Sequence, residues 1–294
     1  MTQQNNSPAE MQCKASREEH CDVANKAPLF HIAFYQFTNI EDPAVLTESL
    51  RQVTVDLLGS ILVATEGING VLAGSALALD AFEQTITDQN YCNGMFASMA
   101  FKRSACKTPP FARIKIHHRD EIVALGVAGA PIDGRRGIDV TPQKWRELLN
   151  SDDVVVIDNR NSFEYRLGRF KNAIDPQVHN FRDFSRYIEA QAPAWQAAGK
   201  RIAMYCTGGI RCEKTSAWMQ DFGIDVYQLE GGILNYLQTM PDAQQDWEGE
   251  CFVFDNRIAL DARLQETTTT AEQVYDDPAD AWRLARAKRL DQSE

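Results

Sequence analysis

The sequence contains no run of about 18 apolar residues, so no membrane-spanning helix is expected. It has no positive net charge: 30 Lys and Arg against 41 Asp and Glu leave −11 at pH 7, and the molecule as a whole has no field that would gather a polyanion. The start, MTQQNNSPAEMQ, lacks the basic and then apolar layout of a secretory signal. The seven cysteines are odd in number, scattered and never spaced as CxxC, which speaks against a disulfide framework and a structural zinc site. Histidine is scarce. The pair His117-His118 in an alternating strand would place one ring on each face, and no two-His-plus-carboxylate pattern for iron is legible. A glycine-rich dinucleotide loop at a helix start is also missing, because GINGVLAG falls in a hairpin. These absences predict a reduced, cytoplasmic protein with mostly free thiols, no metal and no identifiable organic cofactor.

What is present reads as two domains. Residues 1–27 are polar and aperiodic, the pattern of a mobile extension, and carry Cys13, His20 and Cys21. In the block 28–120, LFHIAFYQF alternates as a strand, and a helix follows with Asp42 as cap, Pro43 at its first position and Gly59 at its stop. SILVATEGINGVLAG reads as a hairpin turning around Gly67, Asn69 and Gly70, a second helix runs from about Ser75 to Asp88, and two strand-like stretches, FKRS and FARIKIHHRDEIVALG, follow. The order β-α-β-β-α-β predicts a ferredoxin-like sandwich. The stretch 121–140, with four glycines and a proline in GVAGAPIDGRRGI, reads as a linker arm. In 141–240, Thr141 and Pro142 start a helix, and DVVVID, RIAMY and DVYQL are short unbroken apolar runs separated by helical stretches. That pattern predicts an α/β domain with a central parallel sheet. The remainder, 241–294, opens with the strand-like ECFVFDNRIAL and ends in a charged helix-like tail.

The most informative stretch is YCTGGIRC, positions 205–212, between a strand-like run and a helix-like run. Strand, glycine loop and helix make an anion cradle, because successive backbone N–H groups and the helix N-terminus point inward. The same donors stabilise a thiolate at Cys206, while Gly208 and Gly209 permit the loop's backbone and Arg211 adds a fixed cation. A cysteine phosphatase loop needs five residues between cysteine and arginine. Here only Thr207, Gly208, Gly209 and Ile210 intervene, and the smaller ring suits a sulfur species better than a phosphate. Cys212 is either a resolving thiol or a structural residue of the following helix.

DNRNSFEYRLGRF (158–170) followed by YCTGGIRC resembles the rhodanese domain, with Asp158, Arg160, Glu164, Tyr165 and Gly168 matching its first motif; Gly168-Arg169 stands where many rhodaneses carry Gly-His. The fuller resemblance is to the tRNA uridine hydroxylase family, carried by EGINGVLAGS (66–75), CTGGIRCEKTSAWM (206–219), QLEGGILNYL (228–237) and GECFVFDNRIAL (249–260). That resemblance implies an acylphosphatase-like N-terminal domain followed by a rhodanese domain. It implies oxygen-dependent formation of 5-hydroxyuridine at the tRNA wobble position, with molecular oxygen as co-substrate and Cys206 as the active cysteine. The C-terminal cysteine cluster of longer relatives is absent, and no zinc is expected. A thiolate adding to uracil C6 would make C5 nucleophilic, with Arg211 and the loop amides holding charge; a sulfenic acid or persulfide on Cys206 are alternatives. Asp158 and Arg160, at the end of the first sheet strand, either line the pocket or support the loop.

An RNA substrate calls for local positive charge. Between Phe101 and Arg119 the chain has Lys102, Arg103, Lys107, Arg113, Lys115 and Arg119 and no acid, and Arg135 and Arg136 follow in the arm. Phe101 and Phe111 are interleaved and suited to stacking on a splayed base. Two readings compete with hydroxylation: a sulfurtransferase carrying persulfide on Cys206, and a rhodanese module that only binds a partner. Nothing in the sequence sets the oligomeric state.

Overall fold

The computed structural model describes residues 28–127 and 136–291. The extension read for 1–27 and the predicted RNA contact Arg135 lie outside the described residues.

The N-terminal domain is built from β1 (Leu29–Phe37), α1 (Pro43–Val53), β2 (Leu58–Ala64), β3 (Gly67–Ser75), α2 (Ala76–Thr87), β4 (Phe101–Cys106) and β5 (Ile114–His118). Helix α1 begins as its sequence requires: the Asp42 carboxylate accepts from the N–H groups of Ala44 and Val45, and Pro43 occupies a first-turn position with no N–H to satisfy. The sheet order is β4-β1-β3-β2-β5. Its first four strands are the expected ferredoxin-like arrangement, and β5 is an addition that runs parallel to β2 on the outer edge. The hairpin turns at Thr65-Glu66, between β2 and β3. Asn69 and Gly70, expected in the turn, lie inside β3, where Gly70 leaves room for the Phe34 ring.

Strand alternation divides this sheet by face. Ile32, Phe34, Ile61, Ile68 and Leu72 point toward α1 and α2 and pack with Leu46, Leu50, Leu79 and Phe82. His31, Ala33 and Tyr35 point the other way, into a cavity shared with the second domain.

The second domain contains β6 (Ile138–Val140), α3 (Pro142–Leu149), β7 (Val154–Asp158), α4 (Ser162–Leu167), β8 (Gly168–Phe170), α5 (Phe184–Ala197), β9 (Arg201–Tyr205), α6 (Ile210–Met219), β10 (Val226–Leu229) and α7 (Gly232–Thr239). Its central sheet, β6-β10-β9-β7, is parallel throughout. Both faces are covered, by Trp145, Leu148, Ile233 and Tyr236 on one side and Phe184, Ile188, Trp218 and Met219 on the other, which is why its strands read as unbroken apolar runs. The stretch 121–140 is more than a linker. Ile122 and Leu125 are buried, and Ile138–Val140 is an edge strand of the parallel sheet. A three-residue strand beside several glycines is too short to show a period, so composition alone hides it.

Beyond the sheet, β11 (Trp247–Gly249) pairs with β8, β12 (Cys251–Phe252) pairs with β13 (Ala259–Leu260), and α8 (Ala271–Val274) and α9 (Ala281–Asp291) close the chain. This segment packs onto α4 through Phe163, whose ring meets Phe252 and Tyr275, each with centroids 5.0 Å away. Among the described residues no helix is long and apolar enough to cross a membrane.

Candidate active site

Strand β9 delivers Cys206 at its C-terminal end, and α6 begins four residues later at Ile210. Between them the backbone turns through Gly209 at φ +106°. An added side chain at Gly209 would be strained there, and its Cβ would stand 3.0 Å from Tyr35 Oη of the N-terminal domain. Gly209→Ala is therefore expected to cost about 1–3 kcal/mol and to slow alkylation of Cys206; thermal unfolding and iodoacetamide kinetics check both.

The loop is fixed from three sides. From below, Ile233 and Leu234 at the start of α7 donate their N–H groups to the carbonyls of Cys206 and Thr207, at 3.0 and 3.2 Å. Gly232, at φ +70°, is the close approach that permits this, since a Cβ there would lie 2.5 Å from the Cys206 carbonyl oxygen. From inside the domain, Arg211 donates through both Nη atoms to the carboxylate of Glu164, at 2.7 and 2.8 Å. Glu164 also accepts from the Asn161 N–H, closing the capping box of α4, so one buried carboxylate joins two helix starts. Burial opposes ionisation of Glu164, and the Arg211 contact overrides it and holds the carboxyl below its usual range.

From across the domain boundary, Tyr35 Oη donates to Glu213 at 3.0 Å, and Lys102 Nζ donates to the carbonyls of Gly208 and Gly231, the latter at 2.9 Å. Lys102 is thus a loop anchor, not the freely exposed phosphate contact its sequence neighbours suggested. Burial lowers its pKa, and the negative groups around it, Cys206 first, resist that shift.

Cys206 is 1% exposed and lines the cavity floor. Burial alone would raise its pKa. The Cys212 thiol as donor, the Arg211 charge and the Gly209 N–H, 3.1 Å from Sγ, together bring it well below the ordinary thiol value. Cys212 shifts oppositely: burial and its donation to Cys206 keep it protonated. Because the lowered pKa increases the thiolate fraction near neutrality, alkylation of Cys206 is expected to level off with rising pH well below pH 9. A titration of iodoacetamide rate against pH checks this, and Lys102→Met is expected to move the inflection upward.

Asp158 and Arg160 do not reach the cavity. Both are fully buried. Arg160 donates to Asp158 through Nε and Nη2, at 2.8 and 2.6 Å, and to the Gly168 carbonyl, while Tyr205 Oη donates to Asp158 at 2.7 Å. Of the two readings open at the sequence level, loop support is the one this geometry fits. Among the described residues no group of three or more His, Cys, Asp or Glu is placed to hold a metal ion.

The cavity above Cys206 has a volume of about 1640 Å³ and is walled by both domains and the C-terminal segment. Eight lysines and arginines line it against five acids, an excess of three positive charges in a chain of net −11. Few of these belong to the predicted basic stripe, because β4 and β5 are opposite edges of a five-stranded sheet, about 19 Å apart at ~4.8 Å per strand. None of Lys107, Arg113, Lys115 and Arg119 lines the cavity, and Arg103 is held by Asp80, Glu83 and the Ala76 carbonyl. Arg136 lines the cavity and pairs with Asp139. The cations that sequence reading missed are Arg182 and Arg186, around the start of α5, Arg257, and Arg283 and Arg286 on α9. Two exposed aromatics line the same cavity: Phe254, whose ring lies 5.7 Å from the Arg211 guanidinium carbon, and Trp282. Phe101 instead packs in the core against Phe34, and Phe111 packs against His31.

Residues 30–122 match the model of the UPF0176 acylphosphatase-like domain, and residues 141–239 match the rhodanese-like domain. A tRNA uridine(34) hydroxylase of Acinetobacter baumannii (strain AYE) is 44% identical over 237 residues, covering 80% of this chain and 73% of that protein. The chain belongs to the tRNA uridine(34) hydroxylase family. Its counterpart of the same name in Nitrobacter winogradskyi is 41% identical over 251 residues, 84% of this chain and 98% of the relative. A solved structure from Rhodopseudomonas palustris CGA009, of a protein of unknown function, is 26% identical and covers 37% of this chain and 82% of its own, with a TM-score of 0.30 that adds nothing to the assignment. Membership in this hydroxylase family gives the motif-bearing segments a common sense. QLEGGILNYL supplies the α7 N–H groups under the loop, EGINGVLAGS forms the hairpin that faces α6, and GECFVFDNRIAL brings Phe254 and Arg257 to the cavity wall.

Proposed function

We propose that the protein hydroxylates C5 of uridine 34 in tRNA, giving 5-hydroxyuridine with molecular oxygen as co-substrate. The observation that carries this reading is a thiolate-stabilising loop on the floor of a cationic, aromatic-edged cavity, in a chain of this family. The cations suit the phosphates of an RNA loop, and Phe254 and Trp282 offer rings for unstacked bases.

Cys206 acts as the nucleophile. Its sulfur bonds to C6 of uracil, the C5–C6 π electrons move toward C5 and O4, and the enolate-like C5 becomes the atom that meets oxygen. Lys102 uses two of its three N–H donors on loop carbonyls, which leaves one for charge developing at the ring. Arg211, bidentate to Glu164, fixes the loop and its field and is not free to clamp substrate. Incorporating one oxygen atom from O₂ while reducing the other to water consumes two electrons and two protons, so the reaction also draws on an external two-electron reductant. Departure of the C5 proton and expulsion of the Cys206 thiolate complete the cycle.

Nucleoside mass spectrometry of tRNA tests the reading. Deleting the protein is expected to remove 5-hydroxyuridine and its derivatives, and restoring it to return them. A fall in thiolated nucleosides with hydroxylation intact would assign Cys206 to sulfur transfer instead.

The cavity rim yields a second expectation. The guanidinium groups of Arg182 and Arg286 have no ion-pair partner among the described residues. Replacing either by alanine is expected to weaken tRNA binding and to reduce the slope of log K against log salt by about one, read by filter binding at several salt concentrations.

A further inference from the structure

One polar group on the cavity wall has no task in the chemistry at Cys206. His31 lies on the same face of β1 as Tyr35, four residues away, which is about 13 Å at ~3.3 Å per residue. Tyr35 stands against Gly209 of the Cys206 loop, and His31 lines the same cavity one four-residue step back along the strand. The His31 side chain is 8% exposed, and its Nε2 has no hydrogen-bond partner. The nearest charged neighbours are Asp255, 3.8 Å away, and Arg257, which is committed to Asp255 through Nε and Nη2 at 2.8 and 2.7 Å. Burial first, then the Arg257 charge, lower the His31 pKa to about 4 against the pull of Asp255, so the imidazole is neutral near pH 7. A neutral ring whose buried Nε2 is unpartnered, with Phe111 stacked on its face, offers one directional donor or acceptor to a base edge that displaces the Asp255 side chain from it, whereas a charged ring would simply attract phosphate. Leaving that atom unpaired in a buried site is costly, and a ligand edge would relieve it.

We propose that His31, together with the Asp255–Arg257 pair, forms a second nucleotide subsite that reads the base of a loop nucleotide flanking the reacting uridine. This rests on the tRNA reading above. At about 13 Å from Tyr35 the corner is several stacked-base steps of ~3.4 Å away, beyond the base held over Cys206 and within reach of its neighbours in a splayed loop.

The test uses the full chain and anticodon stem-loop RNAs carrying each of the four bases at the positions flanking the target. Hydroxylation rate and binding by fluorescence anisotropy are both read. The wild type is expected to prefer one base at one flanking position by about 10-fold. His31→Phe is expected to flatten that preference, while His31→Gln, which keeps a polar edge, retains part of it. The alkylation rate of Cys206, read in parallel, reports whether the loop itself is intact in each variant. No preference in the wild type, or a preference that survives His31→Phe in an intact protein, overturns the subsite. If the wild type neither binds nor hydroxylates any of the RNAs, the tRNA reading itself falls and takes the subsite with it. Binding or turnover without base preference removes the subsite alone.

Discussion

Cys206→Ser is expected to abolish wobble hydroxylation, with kcat/KM falling by at least about 10³-fold. A serine hydroxyl keeps the size of the side chain but has no accessible anion near neutral pH, and the donors around Sγ cannot close so large a gap. The loop should stay folded, because its backbone is held by α7, Lys102 and Arg211 rather than by the sulfur. Two measurements separate loss of the nucleophile from loss of binding. tRNA affinity should be little changed, and RNA with 5-fluorouridine at the target should trap a covalent adduct on the wild type and none on the variant. Turnover by Cys206→Ser at near wild-type rates would sink the thiolate mechanism.

The largest effect on stability is expected at a site with no part in the chemistry. Asp158→Ala would leave the fully buried Arg160 guanidinium without its hydrogen-bonded counter-charge and would remove the acceptor of the Tyr205 hydroxyl proton. Removing one partner of such a pair costs about 3–5 kcal/mol. The double variant Asp158→Ala/Arg160→Met, which also removes the stranded charge, should recover much of the loss. Urea unfolding followed by tryptophan fluorescence reads both, since Trp247 packs against Arg160. A loss below about 1 kcal/mol for the single change would mean that solvent reaches Arg160.

The parts of this protein legible in its sequence are those where local chemistry dictates structure. The Asp42-Pro43 cap, the apolar strands β7, β9 and β10 and the glycine loop at Cys206 each carry their instructions within a few residues. The site as a whole does not. Lys102 lies 104 positions before Cys206 and Tyr35 still further off, and only the folded chain shows that both grip the loop. The basic stripe illustrates the opposite error. Lys102 and Lys115 are close in sequence, yet the sheet order carries their strands to opposite edges. Arg182, Arg186, Arg283 and Arg286 are spread over three elements amid neighbouring acids, so no window of sequence shows them as one cluster. Phe254 and Trp282 looked like ordinary apolar residues because exposure is a property of the fold.

Lys214 ties these observations to the mechanics of the whole chain. It sits one turn into α6, is 1% exposed, and donates to both oxygens of Glu66 at the tip of the β2–β3 hairpin, to Glu121 and to the Val123 carbonyl. An ammonium group sealed between two domains in this way acts as a rivet. Pulling the domains apart would strip the buried ammonium of its carboxylate partners, so hinge opening is expected to be resisted. The cleft is therefore expected to keep its width when a substrate enters. It also follows that the halves should melt in one cooperative transition, and that Lys214→Met would be expected to split the endotherm in two.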